Sequence, residues 1–161
     1  MSQIDVPVLS ATTVTTASVH TFRACLFAIA GELLAIDLRY VREVFPVECV
    51  TPVPKMPSVL VGVANLRGTV MPLVDIRPAL GLAPASGPPK LAVVIKHGSQ
   101  QAGLLIDDVP EIRTVSSAGL LTPPKKPDRS SQPFIAALLP IESKMGGLIE
   151  VPTLLSIVER G

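Results

Sequence analysis

Short apolar runs, each stopped by turn-forming residues, set the rhythm of this chain. Residues 22–30 are apolar and end at Gly31-Glu32, and 33–36 return from that turn, which predicts a hairpin. Asp37 stands where an N-cap would, ahead of Leu38-Arg39-Tyr40-Val41. One short helical turn is therefore expected there, before the chain leaves through Arg42-Glu43-Val44. Thr51-Pro52-Val53-Pro54-Lys55-Met56-Pro57 reads as a stiff extended connector, because proline fixes φ and removes a donor. A second hairpin follows, with strands at 59–64 and 69–76 around the turn Asn65-Leu66-Arg67-Gly68. Arg77-Pro78-Ala79-Leu80 reads as a short helical end before Gly81, and 83–89 as a Pro/Gly/Ser linker.

Beyond the linker the pattern starts again. Residues 91–96 and 102–106 are apolar strands around His97-Gly98-Ser99. Val41-Arg42-Glu43-Val44 is echoed by Val109-Pro110-Glu111-Ile112. The stretch from Pro72 to Leu80 is echoed by the one from Gly147 to Leu155, each an apolar strand with one acid running into a short turn with leucines. This order of parts predicts two copies of one small β unit. Either copy alone buries too little surface to be stable, so the two are expected to share a core and leave a groove between them. Thr122-Pro123-Pro124-Lys125-Lys126-Pro127-Asp128-Arg129-Ser130-Ser131 reads as a solvated loop.

Composition narrows the class. The 161 residues suit one compact domain or two small subdomains. Hydrophobic residues make up 48% and charged residues 17%, enough for a sizeable core. The 17 prolines exclude long helices, and many short β-branched strands with Pro/Gly turns point to a barrel or sandwich. Net charge is +1, with no basic face and few aromatic residues, which argues against nucleic-acid binding. Mean hydropathy is high at +0.51, yet no apolar run approaches the roughly 20 residues that span a bilayer. Residues 1–21 lack a basic segment followed by an apolar core and read as a flexible, Ser/Thr-rich arm. Cys25 sits in an apolar run and reads as a buried core thiol, whereas Cys49 precedes a turn. Two such cysteines make no disulfide framework, and the chain reads as cytoplasmic.

Candidate chemistry is sparse. His20 and His97 have no Cys or His at metal-ligand spacing, and neither a phosphate loop, a dinucleotide fingerprint nor a nucleophile elbow is present. No catalytic residue, metal or cofactor is expected. Asp107-Asp108 at a strand end should face opposite sides, and Asp75 and Glu150 hold matching places in the two copies. Acids near strand ends commonly accept hydrogen bonds from turn amides. A small β-barrel ligand-binding or enzymatic domain using Asp75, Asp107 or Glu150 is the rival from another class. Within the 65–68 turn, Asn65 and Gly68 are explained by turn chemistry. Leu66 and Arg67 are not, and both would be presented at a tip or junction. Glu43, an acid between Val41 and Val44, calls for a cationic partner, and a Glu43–Arg67 pair would hold the first helical exit against the turn.

These residues resemble the CheW-like adaptor family of bacterial chemotaxis. The likeness runs from about Phe22 to Ile157, strongest over 35–44 and 62–77, with a further match at 103–109. It implies a mainly β fold of two intertwined, five-stranded SH3-like barrels around a shared core, with short helices. The expected division is one domain over 22–161, with subdomains formed mainly by 33–90 and 91–150 and their ends intertwined. The resemblance also implies a non-enzymatic adaptor that couples the cytoplasmic tip of a chemoreceptor to the regulatory domain of a CheA-type histidine kinase. Ring-like array assembly is part of that expectation, and a pilus or gliding pathway is an alternative setting. Glu43 and Arg67 look like the family's paired acid and arginine, and Val41 and Ile112 match apolar docking positions. The expected partner-binding set is Val41, Glu43, Val44, Asn65, Leu66, Arg67, Gly68 and Ile112.

Overall fold

In sequence order the strands are β1 (Thr21–Ile29), β2 (Glu32–Asp37), β3 (Val41–Pro46), β4 (Leu60–Leu66) and β5 (Thr69–Val74). After the linker come β6 (Leu91–His97), β7 (Gln100–Ile106), β8 (Glu111–Ser116), β9 (Ile135–Ile141) and β10 (Lys144–Ile149), then helix α1 (Val151–Glu159). These assignments come from a computed structural model that describes residues 20–55, 59–122 and 134–159. The strands form two five-stranded sheets, ordered β8-β1-β2-β10-β9 and β3-β6-β7-β5-β4.

The two orders are the same order. Numbering strands within each half of the chain, β1–β5 and β6–β10, both sheets read third, first, second, fifth, fourth. Each sheet takes its opening hairpin from one half and its other three strands from the other half. The parallel pairs match as well: β7 lies beside β5 through Leu104 and Val74, and β2 beside β10 through Ile36 and Ile149. Asp75 N donates to Val59 O at 2.8 Å, and Glu150 N donates to Phe134 O at 2.7 Å. The sequence match between Asp75 and Glu150 is therefore a true structural equivalence, although Asp75 is bonded to Arg77 rather than meeting Glu150.

The exchange of hairpins gives form to the intertwined ends expected of subdomains formed mainly by 33–90 and 91–150. The first barrel spans β3 to β7, residues 41–106, and the second is built from both ends of the chain. Hydrophobic patterning explains why. Along β1, Cys25, Phe27 and Ile29 enter one core while Ala24 and Leu26 enter another. Along β6, Val93 and Ile95 join the former, and Ala92 and Val94 a third. A strand apolar on both faces has to be covered on both sides, so β1 and β6 lie inside their sheets.

Three cores result. Phe45, Ala64, Met71, Leu73, Ala92, Val94 and Leu105 fill the first barrel. Ala24, Leu26, Ala35, Leu139 and Ile141 fill the second. The largest lies between the sheets and is closed by Val151, Leu154 and Leu155 of α1. The expected turns change only locally: the stretch after β5 remains a turn, whereas its echo after β10 is the nine-residue α1. Pro152 sits in the first turn of that helix, where a missing N–H costs little.

Other boundaries shift by a residue or two. Asp37 does cap a single 3-10 turn, Leu38–Tyr40, accepting from Arg39 N at 3.0 Å. The first hairpin turns at Ala30-Gly31 rather than at Gly31-Glu32. The expected arm over 1–21 ends earlier, because Thr21 already pairs with Ser116 on β8, and its remaining residues 1–19 lie outside the described residues. Thr51 is bonded to Val63 of β4 in both directions at 2.8 Å, which closes the first barrel, while Met56 and Pro57 of the connector are outside the described residues. Gly62 permits that closure: a Cβ there would stand 2.5 Å from Thr51 O. Leu121 and Leu138 close the second barrel through the same pair of 2.8 Å bonds. Beyond Thr122, the proline-rich loop also lies outside the described residues.

Candidate docking surfaces

The turn between β4 and β5 is tighter than its four-residue sequence motif. Leu66 still pairs with Thr69, leaving only Arg67 and Gly68 in the loop, at φ 50° and 86°. Two left-handed residues in a two-residue hairpin loop give the twist that adjacent strands require. Glycine meets that geometry freely, whereas arginine adopts it against a steric penalty. Asn65 Oδ1 accepts from Gly68 N at 2.8 Å and pins the loop from below. Arg67 is thereby held up at the barrel end, with its side chain 68% exposed.

There the guanidinium bonds Glu43 on β3, the strand at the far edge of the same sheet. This pair, expected from the sequence, spans the two sheet edges that the Thr51–Val63 bonds also join. The Glu43 carboxylate raises the Arg67 pKa, first through the hydrogen bond and then through its charge. Around the pair lies an open cavity of about 470 Å³, with Leu66, Met71 and Val94 at its floor and Arg42, Lys96 and Gln101 on its rim. Three cations and one acid line this first mouth.

A second mouth occupies the equivalent end of the other barrel. Glu111 on β8 faces Leu26 on β1, as Glu43 on β3 faces Val94 on β6. Arg113 bonds Glu111 and reaches Glu142 at 3.2 Å, in the turn between β9 and β10. Glu142 has φ 55°, matching Arg67 in both position and backbone. Glu111, then Glu142, raise the Arg113 pKa through hydrogen bonds. The cavity here is about 290 Å³ and includes Leu26, Leu33, Ile141 and the exposed Val109. Its charged lining is Asp108, Glu111 and Glu142 against Arg113 and Lys144.

Of the expected partner-binding set, Glu43, Leu66 and Arg67 meet at the first mouth, with Asn65 and Gly68 shaping the turn beneath them. Val41, Val44 and Ile112 are elsewhere. Val41 packs against the shared core. Val44 pairs with Val93 and Ile112 with Cys25, so both lie on the inter-barrel faces of their sheets, 36% and 43% exposed at the rim. They are equivalent positions of the two halves.

Sequence reasoning missed two features. One is the Arg113–Glu142 pair, signalled only by Glu111 and Arg113 two residues apart on one strand face. The other is Arg77, 5% exposed and the buried charged residue among the described residues. It bonds Asp75 Oδ1 at 3.2 Å and also Asp107. Asp75 in addition accepts from Arg77 N at 3.0 Å, and Asp107 from Ala30 N at 2.7 Å. The two aspartates weighed as enzymatic candidates are thus engaged in holding turns. Cys25 is buried, which pushes its thiol pKa up, and Cys49 is exposed. Among the described residues, no helix is long and apolar enough to cross a membrane.

Comparison with known proteins agrees with this architecture. The model of the CheW-like domain family matches residues 23–159. The chain is 30% identical over 135 residues to the chemotaxis protein CheW of Rhizobium meliloti, covering 83% of this chain and 87% of that one. It is also 30% identical over 113 residues to the protein FrzA of Myxococcus xanthus, covering 70% and 71%. In fold it resembles the scaffolding protein TtCheW of Thermoanaerobacter tengcongensis, with a TM-score of 0.71 at 24% identity over 81% and 84% of the two chains.

Proposed function

Because the chain belongs to the CheW-like domain family, we propose that it is a non-enzymatic cytoplasmic adaptor coupling chemoreceptor tips to a CheA-type histidine kinase. An adaptor role in chemosensory signalling accords with the family and with the relatives named above. The observation that carries the finer reading is the first mouth. Arg67 is kept in an unfavourable backbone conformation, exposed, and oriented by Glu43 beside a cavity with a basic rim. A two-residue loop of this kind favours Asn, Asp or Gly at its first position, so turn chemistry does not call for an arginine there.

Signal transfer in this reading is docking geometry. The apolar rim at Val44 and Ile112 suits the apolar face of a receptor helix laid into a groove. The mouths suit the kinase regulatory domain, and repeated weak contacts in a ring-like array raise effective affinity. Separate pull-downs with a purified receptor tip and a purified kinase regulatory domain test this proposal. Retention of both is expected; retention of neither contradicts it, and retention of the kinase domain alone identifies an adaptor without receptor contact.

A further inference from the structure

The buried guanidinium of Arg77 has no counterpart in the other half of the chain. Its place in the echoed stretch is taken by Pro152, since Val74-Asp75-Ile76-Arg77 corresponds to Ile149-Glu150-Val151-Pro152. In a molecule whose two sheets repeat one plan, this ion cluster is an exception to the symmetry. Burying a guanidinium is costly, and a hydrophobic replacement at such sites is often no less stable. Its presence therefore calls for a role in fixing geometry.

The bonds around it lead to one place. Arg77 follows β5 of the first barrel and bonds Asp107, which follows β7. The other oxygen of that carboxylate accepts from Ala30 N at 2.7 Å, and Asp107 N donates to Ala28 O at 3.1 Å. Ala28 and Leu33 flank the β1–β2 turn, Asp108 and Val109 follow Asp107, and all four line the second mouth. Without Arg77, the Asp107 carboxylate would be partly exposed on a bend and tied by the Ala30 amide alone, with freedom left at its other oxygen. Arg77 removes that freedom.

We propose that Arg77 is the positioning residue of the second mouth: from the first barrel it clamps Asp107, and through it the β1–β2 turn and Val109. The clamp makes the shape of one barrel's docking surface depend on a side chain of the other. It concerns how that surface is held, and it stands apart from which partner docks there.

Amide hydrogen exchange on the full chain tests it, with Arg77→Met to remove the charge at similar length and Arg77→Lys as the conservative variant. Asp75 and Asp107 are partly exposed, 21% and 36%, so water solvates them when Arg77 is replaced. In Arg77→Met, exchange at Ala30 and over 107–109 is expected to rise at least tenfold, with Thr51 and Val63 of the first barrel unchanged. Arg77→Lys should restore part of the protection. Unchanged exchange at the second mouth, or a uniform rise across both barrels, would overturn the proposal. Should both variants fail to fold, Asp107→Asn decides, because it keeps an acceptor for Ala30 and leaves Arg77 paired with Asp75. Selective loosening of the second mouth supports the clamp, and global unfolding or no change refutes it. A binding arm uses the kinase regulatory domain: if Val109→Asp weakens it, Arg77→Met should weaken it about tenfold as well. Absence of any binding by the wild-type chain would count against the adaptor reading, while exchange would still decide the role of Arg77.

Discussion

At the first mouth an acid on β3 meets an arginine in the β4–β5 turn; at the second an arginine on β8 meets an acid in the β9–β10 turn. The backbone frame is shared, down to a left-handed residue at the first loop position, Arg67 in one and Glu142 in the other. The charges are exchanged, and the linings differ accordingly. The first mouth carries Arg42, Arg67 and Lys96 against Glu43; the second carries three acids against Arg113 and Lys144, beside more apolar surface. A cross-edge pair stands at both mouths, but with no fixed polarity. Polarity is left for recognition, where charge complementarity governs partner choice and orientation.

The comparison assumes that both mouths sit on one cooperative body. Phe27→Ala, in the core between the sheets, tests that most severely. It should cost about 3–5 kcal/mol, and urea unfolding followed by probes in each barrel should show one coincident transition. Two separate transitions would mean that the barrels are independent. Gly62→Ala acts on one barrel's closure only. Its added methyl meets the Thr51 carbonyl, so a loss of about 1–3 kcal/mol is expected. Exchange should increase first at Thr51 and Val63, while Leu121 and Leu138 keep their protection until global unfolding.

A smaller effect comes from Cys25, between the two barrels. Burial raises its pKa above the ordinary 9.0. The folded chain then keeps a proton that the unfolded chain releases, so this contribution to stability is complete below about pH 9 and declines as pH rises beyond it. The slope is at most about 1.4 kcal/mol per pH unit. Cys25→Ala should unfold with a shallower alkaline decline than wild type, measured as a difference in urea midpoints between pH 8 and pH 10. In the native protein, a thiol reagent at pH 8 should modify Cys49 and leave Cys25 intact.

Much of this architecture was legible in the sequence because its signals are local. Alternation, turn residues and the order of parts identify the hairpins and the two halves. The Glu43–Arg67 pair was legible because an acid among valines and an unexplained turn arginine each needed a partner. The exchange of hairpins was expected only as the intertwining that the resemblance implies, because residue patterning does not reveal it. Period-2 patterning tells which face of a strand is buried, not which half of the chain supplies the neighbour. Arg77 escaped for a related reason: it reads as a polar residue entering a turn, and its second acid, Asp107, comes from beyond the linker. Val41, Val44 and Ile112 were gathered with the mouth residues by sequence proximity and resemblance. Strand alternation instead assigns them to the inter-barrel faces of two different sheets.

The central claim is that Arg67 is exposed for a partner rather than needed to hold the barrel shut. Arg67→Gly separates these roles, because glycine relieves the left-handed backbone while deleting the guanidinium. The decisive measurement is a paired one on this variant: its Tm, and titration against the receptor tip and the kinase regulatory domain. The account predicts a Tm at or above that of wild type, with affinity for at least one partner reduced about tenfold. Wild-type affinity for both partners would contradict it, and so would a markedly lowered Tm, which would make the Glu43–Arg67 pair a brace of the fold.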